Sequence, residues 1–456
     1  MTAATSSLWH DQVPAESRRS SLPGDTSADV AIVGAGYTGL WTAYYLAQAD
    51  PTLRVVVVER ESAGFGASGR NGGWCSALFP ASWHRMARDA ARPAVVAMQA
   101  ALEDAVAEVG RVAVAEGIDC DYVRGGTLSL LRNPAQLARA ADEVAEARSW
   151  GFGTATLDLL SAEATGRRVS ATRTLGALAS EHCAALHPAK LVRGLAAAVE
   201  RLGVTIHEGT DALEVGPGRV RTASGTVTAE IVLPATEGYT PQLPGRRRDL
   251  APVYSLMLAT APLPPPVWDQ IGLADRATFS DHRHLTIYGQ RTADDRLAFG
   301  GRGAPYHFGS RVLPAYEQVE RVHTALRSAL VDLFPVLGDV EVTHRWGGNL
   351  GVPRDWYPSV GLDRRTGLAW AGGYVGDGVA TSQLAGRTLA DLVVGADTER
   401  THLPWVRRRT AKWEPEPLRW VGVNAVTALM TRADRTEART GRPSRAAALF
   451  WKQLGQ

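Results

Sequence analysis

The stretch from Asp29 to Glu59 constrains the fold more than any other part of the chain. Val30-Ala31-Ile32-Val33 is an unbroken apolar run of the kind that forms a strand buried on both faces, and Gly34-Ala35-Gly36-Tyr37-Thr38-Gly39 follows without a gap. Leu40 to Ala47 is a helical stretch, and Leu53 to Val58 is a second buried strand that ends in Glu59, twenty positions after Gly39. This spacing is that of a strand–turn–helix–strand unit that holds a dinucleotide. Gly34 permits the tight turn, Gly36 lets a pyrophosphate approach the backbone, and Gly39 lets helix and strand pack closely. The phosphates then meet the positive end of a helix. Glu59 can accept hydrogen bonds from both ribose hydroxyls, and its charge repels a 2′-phosphate, which disfavours NADP.

Composition sets the outer bounds. With 456 residues, 45% hydrophobic and 21% charged, the chain suits one large domain or two intertwined ones. The balance of 49 basic and 47 acidic residues gives no reason to expect nucleic acid as the main partner. Cys75, Cys120 and Cys183 form an odd set without CxxC spacing, which argues against a disulfide framework and a metal centre and fits a reducing, cytoplasmic compartment. Arg18-Arg19 is followed by polar residues where an export signal would turn apolar. The run from Val421 to Met430 is too short to cross a bilayer and is interrupted by Asn424, so no membrane association is expected. Residues 1–27, rich in Ser, Thr, Ala and Pro, read as a flexible or surface-draped leader, with ordered structure beginning at Asp29.

The fingerprint alone does not separate NAD from FAD. A second Gly-dense loop, Ala63-Gly64-Phe65-Gly66-Ala67-Ser68-Gly69-Arg70-Asn71-Gly72-Gly73, follows the second strand and permits close backbone approach to a large flat ligand. Here the chain resembles the D-amino-acid-oxidase-like superfamily of FAD oxidoreductases, and within it the gamma-glutamylputrescine oxidase and glycine/sarcosine oxidase branch. The likeness continues through His187-Pro188-Ala189-Lys190-Leu191, Gly203 to Gly209, Ile231 to Thr236 and Trp370-Ala371-Gly372-Gly373-Tyr374-Val375-Gly376-Asp377-Gly378-Val379-Ala380. It covers roughly residues 28 to 396.

The resemblance implies an α/β fold, a Rossmann-like FAD-binding domain of the glutathione-reductase type carrying an inserted mixed-sheet α+β substrate domain. It assigns residues 28–93, 165–245 and 345–400 to the FAD-binding domain and 94–164 and 246–344 to the substrate domain, leaving 401–456 as a basic extension. The cofactor contacts it implies are Gly34, Gly36, Tyr37, Thr38, Gly39, Glu59, Arg60, Ala67, Ser68, Gly69, Asn71, Gly72, Gly73, Ala212, Gly373, Tyr374, Gly376, Asp377, Gly378 and Val379. The cysteine that carries flavin covalently in sarcosine oxidases has no match in Gly351 to Gly361, so FAD is expected to bind non-covalently, with Cys75 the one residue open to question.

The closing motif also has a physical reading, because a Gly-rich turn feeding a helix over Gln383 to Val394 aims unpaired N–H groups and positive dipole outward. A reduced flavin carries negative charge near N1 and O2, so a helix start at that edge would stabilise it. Between the nucleotide-binding pieces, helical spacing runs over Ala94 to Val114 and Leu137 to Trp150, and strand-like runs lie at Thr127 to Leu131, Val253 to Ala259, Leu285 to Tyr288 and Leu297 to Phe299.

Polar and aromatic candidates for a substrate pocket on these strands are Tyr254, His282, His284, Tyr288 and Arg302, with Trp346 beside a glycine turn. Singly, each reads more readily as a packed or surface residue than as a substrate contact. Tyr288 and Trp346 align with aromatic positions of the resembled family and are the catalytic candidates. Two departures from that family stand out: Asp377 where many relatives carry His, and Glu237 in place of a common Asn. An acidic group near the flavin would favour a cationic amine, whereas Asp377 could equally cap the helix after it.

The expected activity is oxidation of an amine or amino acid by hydride transfer to flavin N5, with O2 or another acceptor regenerating the cofactor. The competing readings are a regulatory protein in which the dinucleotide is structural and the tail engages RNA or an acidic partner, and an NAD-linked dehydrogenase. The tail holds Arg407-Arg408-Arg409 with Trp405, Trp413 and Trp420, a pattern that packs a helix against an acidic surface more often than it stacks bases.

Overall fold

The structure is a computed structural model, and it describes residues 7–15 and 17–454. Two eight-stranded sheets organise it. The first has the order Ser359–Asp363, Leu368–Gly372, Thr226–Pro234, Thr26–Val33, Val55–Val58, Thr205–His207, with an antiparallel hairpin at 212–222 attached to Thr226–Pro234. Its central strands are parallel, Val30 facing Val55 and Val33 facing both Val58 and Pro234, so their C-terminal ends share one edge. That edge is where open α/β sheets bind ligands. The helices Tyr37–Ala49 and Gly378–Val394 pack together beneath it, with Leu40, Trp41, Leu384 and Leu389 fully buried. Gly386 permits the contact, because a Cβ there would lie 2.7 Å from the Trp41 backbone.

The second sheet is mixed, in the order Val342–Val352, Ala251–Thr260, Leu297–Gly301, Ile287–Arg291, Thr278–Asp281, Thr127–Leu131, Gly176–Ser180, Asp158–Ser161. Only Thr278–Asp281 and Thr127–Leu131 run parallel in it. Its outer face packs a separate core of Leu256, Leu258, Phe279 and Phe299 against the helix Glu320–Leu333.

Several boundaries differ from the sequence expectation. Gly176–Ser180 and the whole of Val342–Val352 belong to the second sheet, although 165–245 and 345–400 were assigned to the nucleotide-binding part. Each segment is the last strand of the second sheet before the chain returns to the first, and periodicity marks a strand without saying which sheet it joins. The closing helix begins at Gly378, five residues before the predicted start, since its first turn is written in small and polar residues.

The described part of the leader is anchored to the body at a few buried residues. Ser7 caps a turn of helix at Leu8–Asp11, and Leu8, Trp9 and Leu22 are each 1% exposed. The first strand begins at Thr26, ahead of Asp29. Residues 1–6 and 16 lie outside the described residues.

The basic extension folds onto the body. Trp405 and Trp413 are buried, Arg408 pairs with Asp355, and the Arg409 guanidinium lies 3.9 Å above the Trp370 ring. Helix Leu418–Thr440 is clamped to the second sheet by Asp434, whose carboxylate accepts the N–H groups of His284 and Leu285 at 2.8 and 3.0 Å. Among the described residues no helix is long and apolar enough to cross a membrane, and no group of three or more His, Cys, Asp or Glu side chains is placed to hold a metal ion.

Candidate cofactor cavity and active site

A cavity of about 390 Å³ opens along the C-terminal edge of the first sheet. Of the residues assigned to the cofactor, Gly34, Gly36, Tyr37, Thr38, Glu59, Arg60, Ala67, Ser68, Asn71, Ala212, Tyr374, Gly376, Gly378 and Val379 line it. The cavity thus joins segments from four separate parts of the sequence.

The floor follows from local structure. Gly34 has φ +108° and its missing Cβ would sit 2.8 Å from the Ala235 carbonyl oxygen, so a side chain would push two parallel strands apart. Gly36 precedes the helix Tyr37–Ala49, and the first N–H of that helix, from Tyr37, donates to the Ser68 hydroxyl at 2.8 Å. This is the positive end of the helix, where a pyrophosphate would rest. Glu59 ends the second strand with its carboxylate fixed by the N–H groups of Ala35 and Glu61 at 2.9 and 2.8 Å, and burial pushes its pKa up. Fixed in this way, the carboxylate is ready to accept ribose hydroxyls.

The far end is built by the closing loop. Thr38 and Tyr374 hydroxyls meet at 3.1 Å, which ties the phosphate helix to that loop. Glu237, in the cavity wall, accepts the N–H groups of Gly373 at 2.9 Å and Tyr374 at 3.2 Å. Burial pushes its carboxyl up to about 7 despite those bonds. Asp377 stands at the start of helix Gly378–Val394 but makes no side-chain capping bond, which corrects the capping expectation. Burial pushes its pKa up to about 6, and the nearby Arg302 acts in the opposite direction. Arg302 donates to the Val375 carbonyl at 2.6 Å, at the junction of loop and second sheet.

The remaining assigned glycines shape the site from outside its wall. A Cβ on Gly39 would overlap the Gly34 carbonyl, one on Gly73 the Gln290 amide, and one on Gly69 the Gly64 carbonyl. Gly72 faces the Tyr288 ring at 2.7 Å from its missing Cβ, and Gly373 gives its N–H to Glu237.

The substrate-pocket candidates separate. Tyr288 packs against Gly72 and near Trp74, with its hydroxyl 2.8 Å from that of Ser255, so it lies beside the second Gly-rich loop. Trp346 is wholly buried behind that loop and donates its indole N–H to the Arg70 carbonyl at 2.8 Å. Neither is in the wall of the main cavity. Tyr254 is buried with its hydroxyl spent on the Leu313 backbone. His282 and His284 face helices instead, bonded to Glu143 and Glu437 at 3.0 and 3.1 Å, and so leave the candidate set. Cys75, Cys120 and Cys183 are all buried, with thiol pKa values raised by burial, and none lines the cavity.

Sequence reasoning did not assign Thr236, Tyr239, Gln242, Asn349 and Leu350 to the cofactor, yet all line the cavity. The Asn349 amide nitrogen is buried without a protein partner, a donor that a bound cofactor can satisfy. Asn349 follows the Gly347-Gly348 pair in the sequence, a signal of close backbone approach that could have marked it.

A dinucleotide cradle on a parallel sheet edge, closed by a helix start and roofed by a second, mixed sheet, defines a class of flavin-dependent oxidoreductases. The chain matches the family described as FAD dependent oxidoreductase (DAO) over residues 29–392, and it belongs to that family. FAD is therefore its cofactor, and the glycine cradle, the fixed ribose carboxylate and the unpartnered Asn349 donor fit that group.

Among curated proteins it is 32% identical to the gamma-glutamylputrescine oxidoreductase of Escherichia coli over 440 residues, 90% of this chain and 96% of that one. It is 31% identical to the probable oxidoreductase OrdL of Rhizobium meliloti over 396 residues, 83% and 86% of the two chains. Among solved structures, glycine oxidase from Geobacillus kaustophilus shares the fold with a TM-score of 0.68 at 22% identity, covering 84% of this chain and 99% of that one. L-proline dehydrogenase from P. horikoshii does so with a TM-score of 0.67 at 16% identity, covering 84% and 98%.

Proposed function

We propose that this enzyme oxidises the C–N bond of an amine or amino acid to the imine, which water then hydrolyses. FAD, when bound, would supply the two-electron acceptor for the hydride on the carbon that bears nitrogen, the nitrogen's proton leaving to solvent and O2 or another acceptor reoxidising the flavin. The protein's part is to position that carbon, exclude water and favour an amine over other reductants.

The observation that carries this reading is the charge at the junction of the closing loop and the second sheet. Asp377 stands at the head of the closing helix, where burial pushes its pKa up to about 6 and the nearby Arg302 acts to lower it. A carboxylate at this junction would favour an amine over an anionic reductant, while Arg302 limits how far the negative charge extends. The Glu237 carboxyl is committed to the loop N–H groups and holds the loop shape. Tyr288, hydroxyl-bonded to Ser255 and packed on Gly72, backs the second Gly-rich loop, and Trp346 fixes the far side of that loop through Arg70. The names of the relatives, a gamma-glutamylputrescine oxidoreductase and a glycine oxidase, point the same way.

An anaerobic panel of primary and secondary amines, amino acids and 2-hydroxy acids tests the proposal. The flavin absorbance should bleach with a C–N substrate and stay unchanged with the hydroxy acids. Bleaching by hydroxy acids alone, or by NADH alone, contradicts it. Repetition under air with peroxide detection then assigns the acceptor, since peroxide forms only if O2 takes the electrons.

A further inference from the structure

Segment 7–22 lies outside the family match, which begins at residue 29, yet it touches both ends of the cofactor cradle. At one end Trp9 donates its indole N–H to the Asn71 carbonyl at 2.8 Å, with its ring edge-on to His187 at 5.0 Å and Trp346 at 6.2 Å. Asn71 lines the cavity and knits the second Gly-rich loop. Its side-chain amide donates to the Ala67 and Ser68 carbonyls at 3.1 and 2.9 Å, and its oxygen accepts the Gly73 N–H at 2.8 Å. Ser68 in turn holds the Tyr37 N–H at the mouth of the phosphate helix. A continuous series of hydrogen bonds thus runs from the Trp9 indole to the place where the pyrophosphate rests.

At the other end the segment reaches the ribose side. Arg18 donates to the Arg60 carbonyl at 3.2 Å and to the Glu61 carbonyl at 3.0 and 2.7 Å. The Leu22 N–H donates to the Thr210 hydroxyl at 3.0 Å. These carbonyls follow directly on Glu59, the ribose carboxylate. A loop written largely in glycine and small residues has few side chains of its own to fix it, so its shape depends on what backs it.

We propose that residues 7–15 and 17–22 form a strap that sets the geometry of the FAD cradle, with Trp9 as a positioning residue acting through Asn71 and Arg18 as the latch at the ribose end. Neither side chain lines the cavity. The strap slows FAD release by holding the loop and the strand end in their binding arrangement.

Release of FAD from the holoenzyme, followed by the rise in flavin fluorescence, tests this together with the melting temperatures of the loaded and stripped forms. Trp9→Phe keeps an aromatic ring and removes the N–H, and it should speed release about fivefold. Arg18→Ala alters an exposed side chain and should speed release about threefold. In both variants the gap between loaded and stripped melting temperatures should narrow. A purely structural role would lower the two temperatures together and leave the release rate unchanged, and that result in both variants overturns the proposal. Should Trp9→Phe not fold, the release rate of Arg18→Ala decides the matter alone.

Discussion

Glu59 shows how much one side chain is asked to do. Its carboxylate is half-buried in the cavity wall and held by two backbone N–H groups. Glu59→Gln keeps the shape but loses the charge, and should weaken FAD binding roughly tenfold or more, as read by flavin fluorescence titration. Glu237 makes a different demand. Its pKa in the folded protein is about 7 against an ordinary 4.5, so between those values the folded state binds the proton more tightly than the unfolded chain does. Stability from this group is therefore lost as pH rises through that window. Glu237→Gln removes the dependence, so its melting temperature should gain on the parent by a few degrees between pH 5 and pH 8, measured by thermal unfolding of the stripped form. Glu59 was legible because strand, turn and spacing converge on it. The elevated pKa of Glu237 was not, since it arises from a wall assembled by segments more than a hundred residues apart in sequence.

At the scale of elements, the cradle works because two helices and two loops meet a strand edge with almost no clearance. One of the tightest points is Gly39, where any Cβ runs into the Gly34 carbonyl and against Ile32. Gly39→Ala should cost about 3 kcal/mol or prevent folding, checked by urea denaturation. This packing role was readable from the fingerprint, as was the closing helix. Sheet membership was harder to read: the strand at Val342–Val352 carries Trp346 and Asn349 in the second sheet, and only its register against Ala251–Thr260 reveals it. The segment before Asp29 was misread for a related reason. Its two anchoring apolar residues, Leu8 and Trp9, are too few for a periodic signal, yet they find a complete pocket against Ala189, Met257 and Trp346.

For the whole molecule, the C-terminal extension is part of the body. Its arginines stack on Trp370 and Tyr357 and pair with Asp355, which accounts for the basic and aromatic pattern without nucleic acid. Trp405 is fully buried in the main core with its ring edge-on to Phe79, so Trp405→Ala should lower stability by about 3–5 kcal/mol in chemical denaturation. Residues 401–456 thereby lose the observation that favoured a regulatory reading, and the chemistry is left to the interface between the two sheets.

The claim at the centre of this account is that electrons leave the substrate from the carbon that bears nitrogen. Rapid anaerobic mixing of the FAD-loaded enzyme with its best amine, protiated or deuterated at that carbon, tests it most directly. The account predicts that flavin bleaching occurs in one turnover and is slower with the deuterated amine. Flavin that keeps its colour with every amine, while a substrate without nitrogen bleaches it, would contradict the account.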